Sequence, residues 1–141
     1  PVPMKTLSPY ITFDGNCREA MEFYHGCLGG ELRFQTVDES PLSANLPPAM
    51  QKLIVHAILI QKDFILMGSD MIDDNGLIKG NGVSMVLGCD DEKEARNCYK
   101  RLSEGGHQTH PLTVSHWGAL LGGLMDRYGN YWVLSYLKKR Q

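Results

Sequence analysis

The sequence predicts an α+β fold built from two tandem βαβββ modules that form a curved mixed sheet around a cavity. The first observation is an internal repeat: ITFDGNCREAMEFYHGCLGGEL, residues 11–32, returns as LGCDDEKEARNCYKRLSEGGHQ, residues 87–108. Each copy has the pattern of a strand end, a capped amphipathic helix and a glycine stop. The second observation is the alternation of apolar and polar residues after each copy, which predicts three further strands. We therefore assign module 1 to residues 4–72 and module 2 to residues 81–138 of a single domain, residues 1–141.

Module 1 begins with a strand predicted at residues 4–13, in which Pro9 favours an edge position or a bulge. Asn16 and Glu19 have the spacing of a capping box, in which the two side chains bond free amides at the start of a helix. Apolar residues then recur at helical spacing, and Gly29 supplies the left-handed residue that ends the helix.

The rest of module 1 is predicted as three strands with a long loop, residues 38–52, between the first two. This loop, DESPLSANLPPAMQK, is rich in proline and serine. Long loops in compact chains are often functional lids, and surface disorder fits the composition equally. The glycines and aspartates of residues 70–82 predict a linker between the modules. The strands are predicted at residues 31–37, 53–61 and 64–69.

Module 2 repeats this order, with Asp91 as the helix cap and Gly105 as the stop. Its elements are predicted as a strand at 83–89, a helix at 92–104 and strands at 108–112, 119–126 and 131–137. Asp126 is expected to cap the turn before the last strand. In the final strands of the two modules, we align Met67 with Leu134.

Composition and charge exclude several classes of protein. The chain is 43% hydrophobic and 21% charged with a net charge of -2, so it shows no electrostatic footprint for nucleic acid. No apolar run is long enough to span a membrane, and the N-terminus lacks a signal-peptide pattern, so we expect a cytoplasmic protein.

The four cysteines include no C-x-x-C pair. Most of them lie on predicted helical stripes, where a reduced thiol packs as a small apolar group. A disulfide or a structural zinc site is the alternative. The cysteines are Cys17, Cys27, Cys89 and Cys98.

The motifs SPYITFDGNCREAMEFYHGCLGGEL, VHAILI and HWGALLGGLMDRYGNYWVLSY resemble the PhnB-like branch of the vicinal oxygen chelate superfamily. That superfamily also contains glyoxalase I, the extradiol dioxygenases and the bleomycin and fosfomycin resistance proteins. The resemblance covers nearly the whole chain, and it implies a homodimer with a cavity lined by the inner strand faces. Some members of the branch carry a ubiquinone-methyltransferase label, which no glycine-rich nucleotide loop in this sequence supports.

In the metal-using relatives, four ligands come from the first and fourth strands of each module. Carried over by the internal symmetry, those places fall on or near Pro9, Met67, Ser84 and Leu134. None of these is a credible ligand for a divalent ion, and their neighbours in sequence add no histidine or carboxylate. We therefore expect no cofactor and no divalent metal at the usual site, while a non-standard site using His56, His110 or His116 stays open.

The same positions predict a binding pocket. Strand alternation places Ile65, Met67 and Ser69 on one face of the fourth strand. The other members of the predicted ligand-binding set come from both modules. Its apolar members could instead pack in the core. The full set is His56, Met67, Ser69, Ser84, Trp117, Trp132 and Leu134.

His56 is the most informative polar residue, because its imidazole lies within an apolar strand. PhnB-like chains usually carry His-Ala at this place, followed by Glu, which is Ile58 in this sequence. Trp117, in His-Trp-Gly, resembles an aromatic-Trp-Gly motif of the family and could stack on a planar ligand or pack between modules.

Two functions are compatible with these residues. The first is a metal-independent binding module for a small hydrophobic or aromatic molecule, as in the resistance proteins of the superfamily. The second is an isomerase, lyase or dioxygenase of the superfamily that uses His56 as a general base or has an unconventional metal site.

Overall fold

The computed structural model describes residues 5–73, 76–116 and 118–137. The chain divides into two compact units between Leu77 and Ile78, within the predicted linker. Each unit contains one four-stranded mixed sheet and one α-helix of 12 residues, which confirms the pair of βαβββ modules. Neither helix in the described ranges combines the length and the apolar character needed to cross a membrane.

Unit 1 has the strand order β1-β4-β3-β2, with β1 parallel to β4 and the other neighbours antiparallel. The first strand starts at Tyr10, later than predicted, because Pro9 has no amide hydrogen for the ladder. The Pro9 carbonyl still accepts a hydrogen bond from the Met67 amide, at 3.1 Å. The elements are β1 (Tyr10–Phe13), α1 (Cys17–Leu28), β2 (Glu31–Thr36), β3 (Ile54–Ile60) and β4 (Ile65–Asp70).

The long loop of unit 1 contains three short 3₁₀ helices and is held by local contacts. The side-chain nitrogen Nε2 of Gln51 donates to the carbonyls of Ser43 and Leu46, at 3.0 and 2.8 Å. Lys52 forms an ion pair with Asp38, at 2.9 Å. The loop therefore has defined local structure, and a role as a lid stays a prediction. The 3₁₀ helices are Val37–Glu39, Pro41–Asn45 and Pro48–Met50.

The N-terminus of α1 is capped by Asp70 and not by the predicted Asn16 box. The Asn16 side chain makes no capping hydrogen bond. Instead, one carboxylate oxygen of Asp70 accepts from the Cys17 amide and the other accepts from the Ile54 amide, both at 2.9 Å. Asp70 is 4% exposed and belongs to β4, so its assignment to the linker was wrong.

Unit 2 repeats the topology with the order β5-β8-β7-β6. The predicted Asp91 cap is confirmed, since its carboxylate accepts from the Glu94 amide at 2.7 Å. The last strand has its predicted bounds, whereas the first begins two residues later than predicted. The elements are β5 (Met85–Gly88), α2 (Glu92–Ser103), β6 (His107–Val114), β7 (Ala119–Met125) and β8 (Tyr131–Leu137).

Asp126 caps the turn between β7 and β8, as predicted. One carboxylate oxygen accepts from the amides of Tyr128 and Asn130, at 2.8 and 3.1 Å. The other oxygen accepts from the indole nitrogen of Trp132 at 2.8 Å. Asp126 is buried, so these bonds replace the water that the carboxylate loses on folding.

The two units differ by one residue in the turn before their last strand. In unit 1 the hydrogen bond from the Gln61 amide to the Phe64 carbonyl encloses two turn residues. In unit 2 the bond from the Asp126 amide to the Asn130 carbonyl encloses three. Because of the longer turn, Met67 corresponds to Val133 and not to the predicted Leu134. A shift of one residue exchanges the two faces of a strand, so it changes which side chains share the surface of Met67.

Replacing Asp70 by alanine tests the buried cap. Asp70→Ala leaves two buried amides without an acceptor, and we expect the free energy of unfolding to fall by about 2–4 kcal/mol. Asp63→Ala, in the exposed turn before β4, is the control and should change it by less than about 0.5 kcal/mol. Urea unfolding of both variants measures the difference, and equal midpoints would contradict the assignment.

Alkaline pH tests the burial of Cys17. Burial, with the Asp70 charge as a smaller cause, raises the pKa of the Cys17 thiol from 9.0 to about 12. Between these values the unfolded chain ionises this thiol and the folded chain does not. The free energy of unfolding should therefore fall with rising pH, by up to about 1.4 kcal/mol per pH unit from this group.

Cys17→Ala removes that contribution. The cavity left by the sulfur lowers stability equally at every pH, so only the slope reports on the thiol. Urea unfolding between pH 8 and about pH 11 should give a shallower decline for the variant than for the wild type. Parallel curves would show that the thiol does not remain protonated in the folded protein.

Candidate functional site

The side of the unit 1 sheet that faces away from α1 carries most of the predicted pocket residues of module 1. A Cβ atom placed on Gly68 would lie 3.6 Å from the Met21 sulfur of α1, so Gly68 and its alternate neighbours face the helix. Met67 and Ser69 therefore point to the other side. We call this side the open face of sheet 1; it carries Tyr10, His56, Ile58, Met67 and Ser69.

His56 is half-buried on this open face, and its ring lies beside that of Tyr10, with the centroids 6.4 Å apart. Ile58, on the same side of β3, is the cross-strand neighbour of Met67. Among the described residues, no hydrogen bond joins His56 to a carboxylate. The neighbours of His56 on this face thus include the aromatic ring of Tyr10 and, across the ladder on β2, the polar Gln35.

Unit 2 contains a cavity of about 370 Å³ on the side of its sheet that carries Val133. Leu121 and Val133 supply apolar side chains, while His110 and Thr113 supply polar groups at its margin. This volume lies within the range of small-molecule sites. The lining residues are His110, Pro111, Thr113, Leu121, Gly122, Gly123 and Val133.

Two irregularities in the pairing of β6 with β7 shape this cavity. The register shifts between Gln108 and His110 and again between His110 and Thr113, so β6 carries extra residues at both places. The Tyr99 hydroxyl of α2 donates a hydrogen bond that is shared between the His110 carbonyl, at 2.6 Å, and the Gly123 carbonyl, at 3.2 Å. The bulged strand is thereby fixed against α2.

The predicted ligand-binding set missed this cavity, because it contains none of the lining residues. His110 is exposed, yet it forms part of the cavity wall. A signal was present in Gly122-Gly123, since glycine inside a strand often marks a bulge or a close approach. A Cβ atom on Gly123 would lie 3.2 Å from the His110 ring nitrogen Nδ1.

The predicted module 2 residues lie elsewhere. Trp132 and Leu134 are buried on the opposite side of β8 from Val133, in the core beneath α2. Ser84 is exposed and precedes β5. The structure brings neither Trp132 nor Leu134 to the cavity, and Trp117 lies outside the described residues.

Residues 5–135 match the model of the family described as 3-demethylubiquinone-9 3-methyltransferase. The chain belongs to this family. It is the PhnB-like branch of the glyoxalase/bleomycin resistance/dioxygenase superfamily, as the sequence motifs indicated.

Similar proteins support this assignment. Protein YjdN of Escherichia coli (strain K12) is 28% identical, with 95% of this chain and 97% of that protein covered. Protein PA1353 from Pseudomonas aeruginosa is 34% identical with a TM-score of 0.83, and the match covers 96% of this chain and 100% of that one.

Two more distant structures share the fold. The PhnB protein from Bacillus cereus is 22% identical with a TM-score of 0.76, covering 94% of this chain and 99% of that one. A glyoxalase/bleomycin resistance protein/dioxygenase family enzyme from Burkholderia phytofirmans PsJN is 10% identical with a TM-score of 0.60, covering 93% and 97%. The predicted fold class is confirmed.

The metal of the superfamily does not fit the residues at the corresponding positions of either unit. The strand pairing places Tyr10 opposite Met67 in unit 1 and Val86 opposite Val133 in unit 2. Two valines have no donor atom, and a thioether is a soft ligand that hard divalent ions do not favour. Taking the paired residues in place of Pro9, Ser84 and Leu134 thus adds no histidine or carboxylate to this set.

Proposed function

We propose that this chain is a small-molecule-binding protein that holds a hydrophobic or aromatic ligand without the metal of its superfamily. The observation that supports the proposal most is the cavity of about 370 Å³ in unit 2, with Leu121 and Val133 in its wall. Apolar walls with a few polar groups at the margin are typical of sites for small organic molecules.

The polar groups of the cavity define the kind of ligand. His110 and Thr113 offer hydrogen-bonding side chains, an imidazole and a hydroxyl. A ligand that is flat and apolar, with one or two oxygen or nitrogen atoms at its edge, would match this wall. A highly charged ligand would lose its hydration there without an ionic partner.

We also propose the open face of sheet 1 as a ligand-contacting surface, because it too combines apolar side chains with a few polar groups. Met67 offers a flexible, polarisable side chain that adapts to different apolar shapes. His56 and Ser69 supply polar groups on the same face. Catalysis by His56 has less support, because Ile58 stands where PhnB-like chains usually carry glutamate.

The family description adds a candidate ligand class. It names 3-demethylubiquinone, whose quinone ring is flat and conjugated, and such a ring would suit an apolar cavity. Methyl transfer itself has no support from the residues, since no glycine-rich loop for a nucleotide follows a strand. We therefore propose quinones as bound ligands and not as substrates for methyl transfer. The homodimer implied by the family resemblance stays a prediction.

The cavity can be tested with N-phenyl-1-naphthylamine, an uncharged aromatic dye that fluoresces in apolar surroundings. In buffer with a metal chelator, the wild type should bind the dye saturably, and short-chain quinones should displace it. Val133→Phe fills the cavity and should weaken dye binding by about tenfold or more, which corresponds to about 1.4 kcal/mol.

Gly88→Ala is the matched control, because a Cβ atom at Gly88 on β5 meets no other atom within 4 Å. It should bind the dye as the wild type does. The proposal is wrong for this cavity if Val133→Phe binds as well as Gly88→Ala. A dye signal that requires an added divalent ion would refute metal independence.

A further inference from the structure

Two cysteines and a glutamate come together where β5 leads into α2. Cys89 follows β5, and its amide donates to the Ser135 carbonyl at 2.8 Å. Glu94 and Cys98 lie four residues apart on α2, so their side chains share one helix face. The two sulfurs and a Glu94 carboxylate oxygen all lie within 4.8 Å of one another.

The corresponding place in unit 1 has aromatic residues. By the internal repeat, Cys89 corresponds to Phe13 and Cys98 corresponds to Phe23. The two phenylalanine rings of unit 1 are thus replaced in unit 2 by two small thiols, which share a hydrogen bond. Since Cys89 is half-buried and Glu94 is exposed, an ion from solvent can reach the group.

We propose that Cys89, Glu94 and Cys98 bind a thiophilic divalent cation of the Zn²⁺ type, with water as the fourth ligand. This site involves neither the cavity of unit 2 nor the strand positions that hold metal in the superfamily. Its expected role is structural, because the ion would tie the start of α2 to the end of β5.

The geometry suits tetrahedral coordination. Zinc binds thiolate sulfur at about 2.3 Å and carboxylate oxygen at about 2.0–2.2 Å, which places the donor atoms roughly 3.5–4 Å apart. The three donors therefore need only small side-chain movements. Two thiolates favour zinc over the harder magnesium and calcium ions.

The local charges also favour a cation. A hydrogen bond with Cys98, burial and the negative charges of Cys98, Glu94 and Asp91 raise the pKa of the Cys89 thiol well above its usual range. The same hydrogen bond lowers the pKa of Cys98. A divalent ion would relieve this repulsion, and each thiol that binds it would release its proton to the buffer.

The test uses the full chain, reduced and freed of metal, titrated with Zn²⁺ by calorimetry and with Co²⁺ by absorbance. We expect one Zn²⁺ per chain and, with Co²⁺, a thiolate-to-metal charge-transfer band and the intense visible bands of tetrahedral coordination. Cys89→Ala should weaken binding at least about a hundredfold, and Glu94→Gln about tenfold. Cys27→Ala, in unit 1, should bind like the wild type.

Each other outcome is decisive. Absence of a stoichiometric ion, a Co²⁺ spectrum without a thiolate band, or unchanged binding in both Cys89→Ala and Glu94→Gln would overturn the proposal. A stable Cys89–Cys98 disulfide in protein purified without reductant would also overturn it, if the reduced protein then binds no zinc. Circular dichroism checks folding, and Glu94→Gln keeps the test valid if Cys89→Ala fails to fold, because Glu94 is exposed.

Discussion

The buried carboxylate of Asp70 is the interaction on which the arrangement of unit 1 most depends. From the end of β4 it bonds the first amide of α1, 53 residues away, and the first amide of the neighbouring β3, so it joins the helix to both strands. A negative charge at the start of a helix also interacts favourably with the helix dipole. Because α1 is held on one side of the sheet and side chains alternate along β4, Met67 and Ser69 remain on the open face.

Unit 2 has the same backbone topology with different polar anchors. The position that corresponds to Asp70 is Tyr136, so α2 is capped locally by Asp91. The buried carboxylate of unit 2 is Asp126, and it bonds the β7–β8 turn and the Trp132 indole instead of a helix start. The repeat therefore preserves strand order and helix position, while each unit satisfies its buried donors in its own way.

Local patterns in the sequence were sufficient to predict the order and type of the elements, because apolar periodicity, caps and glycine stops act within a few residues. The Asp70 cap could not be predicted in this way, since it depends on a contact across 53 residues. The alignment of Leu134 with Met67 was also wrong, because one extra turn residue reversed the alternation, and Leu134 packs in the core, which was the alternative. The cavity depends on two bulges opposite Gly122-Gly123, and such register shifts depend on tertiary pairing rather than on propensity.

The central proposal for this chain is that an apolar ligand occupies the Val133 side of the unit 2 sheet without help from a metal. Methyl NMR of valine-labelled protein in the presence of a chelator tests this proposal directly, with a short-chain quinone as the added ligand. We predict saturable chemical-shift changes at the Val133 methyl groups and none at Val37, which is fully buried in unit 1. Unchanged Val133 signals at saturating quinone, or changes that occur only after a divalent ion is added, would contradict it.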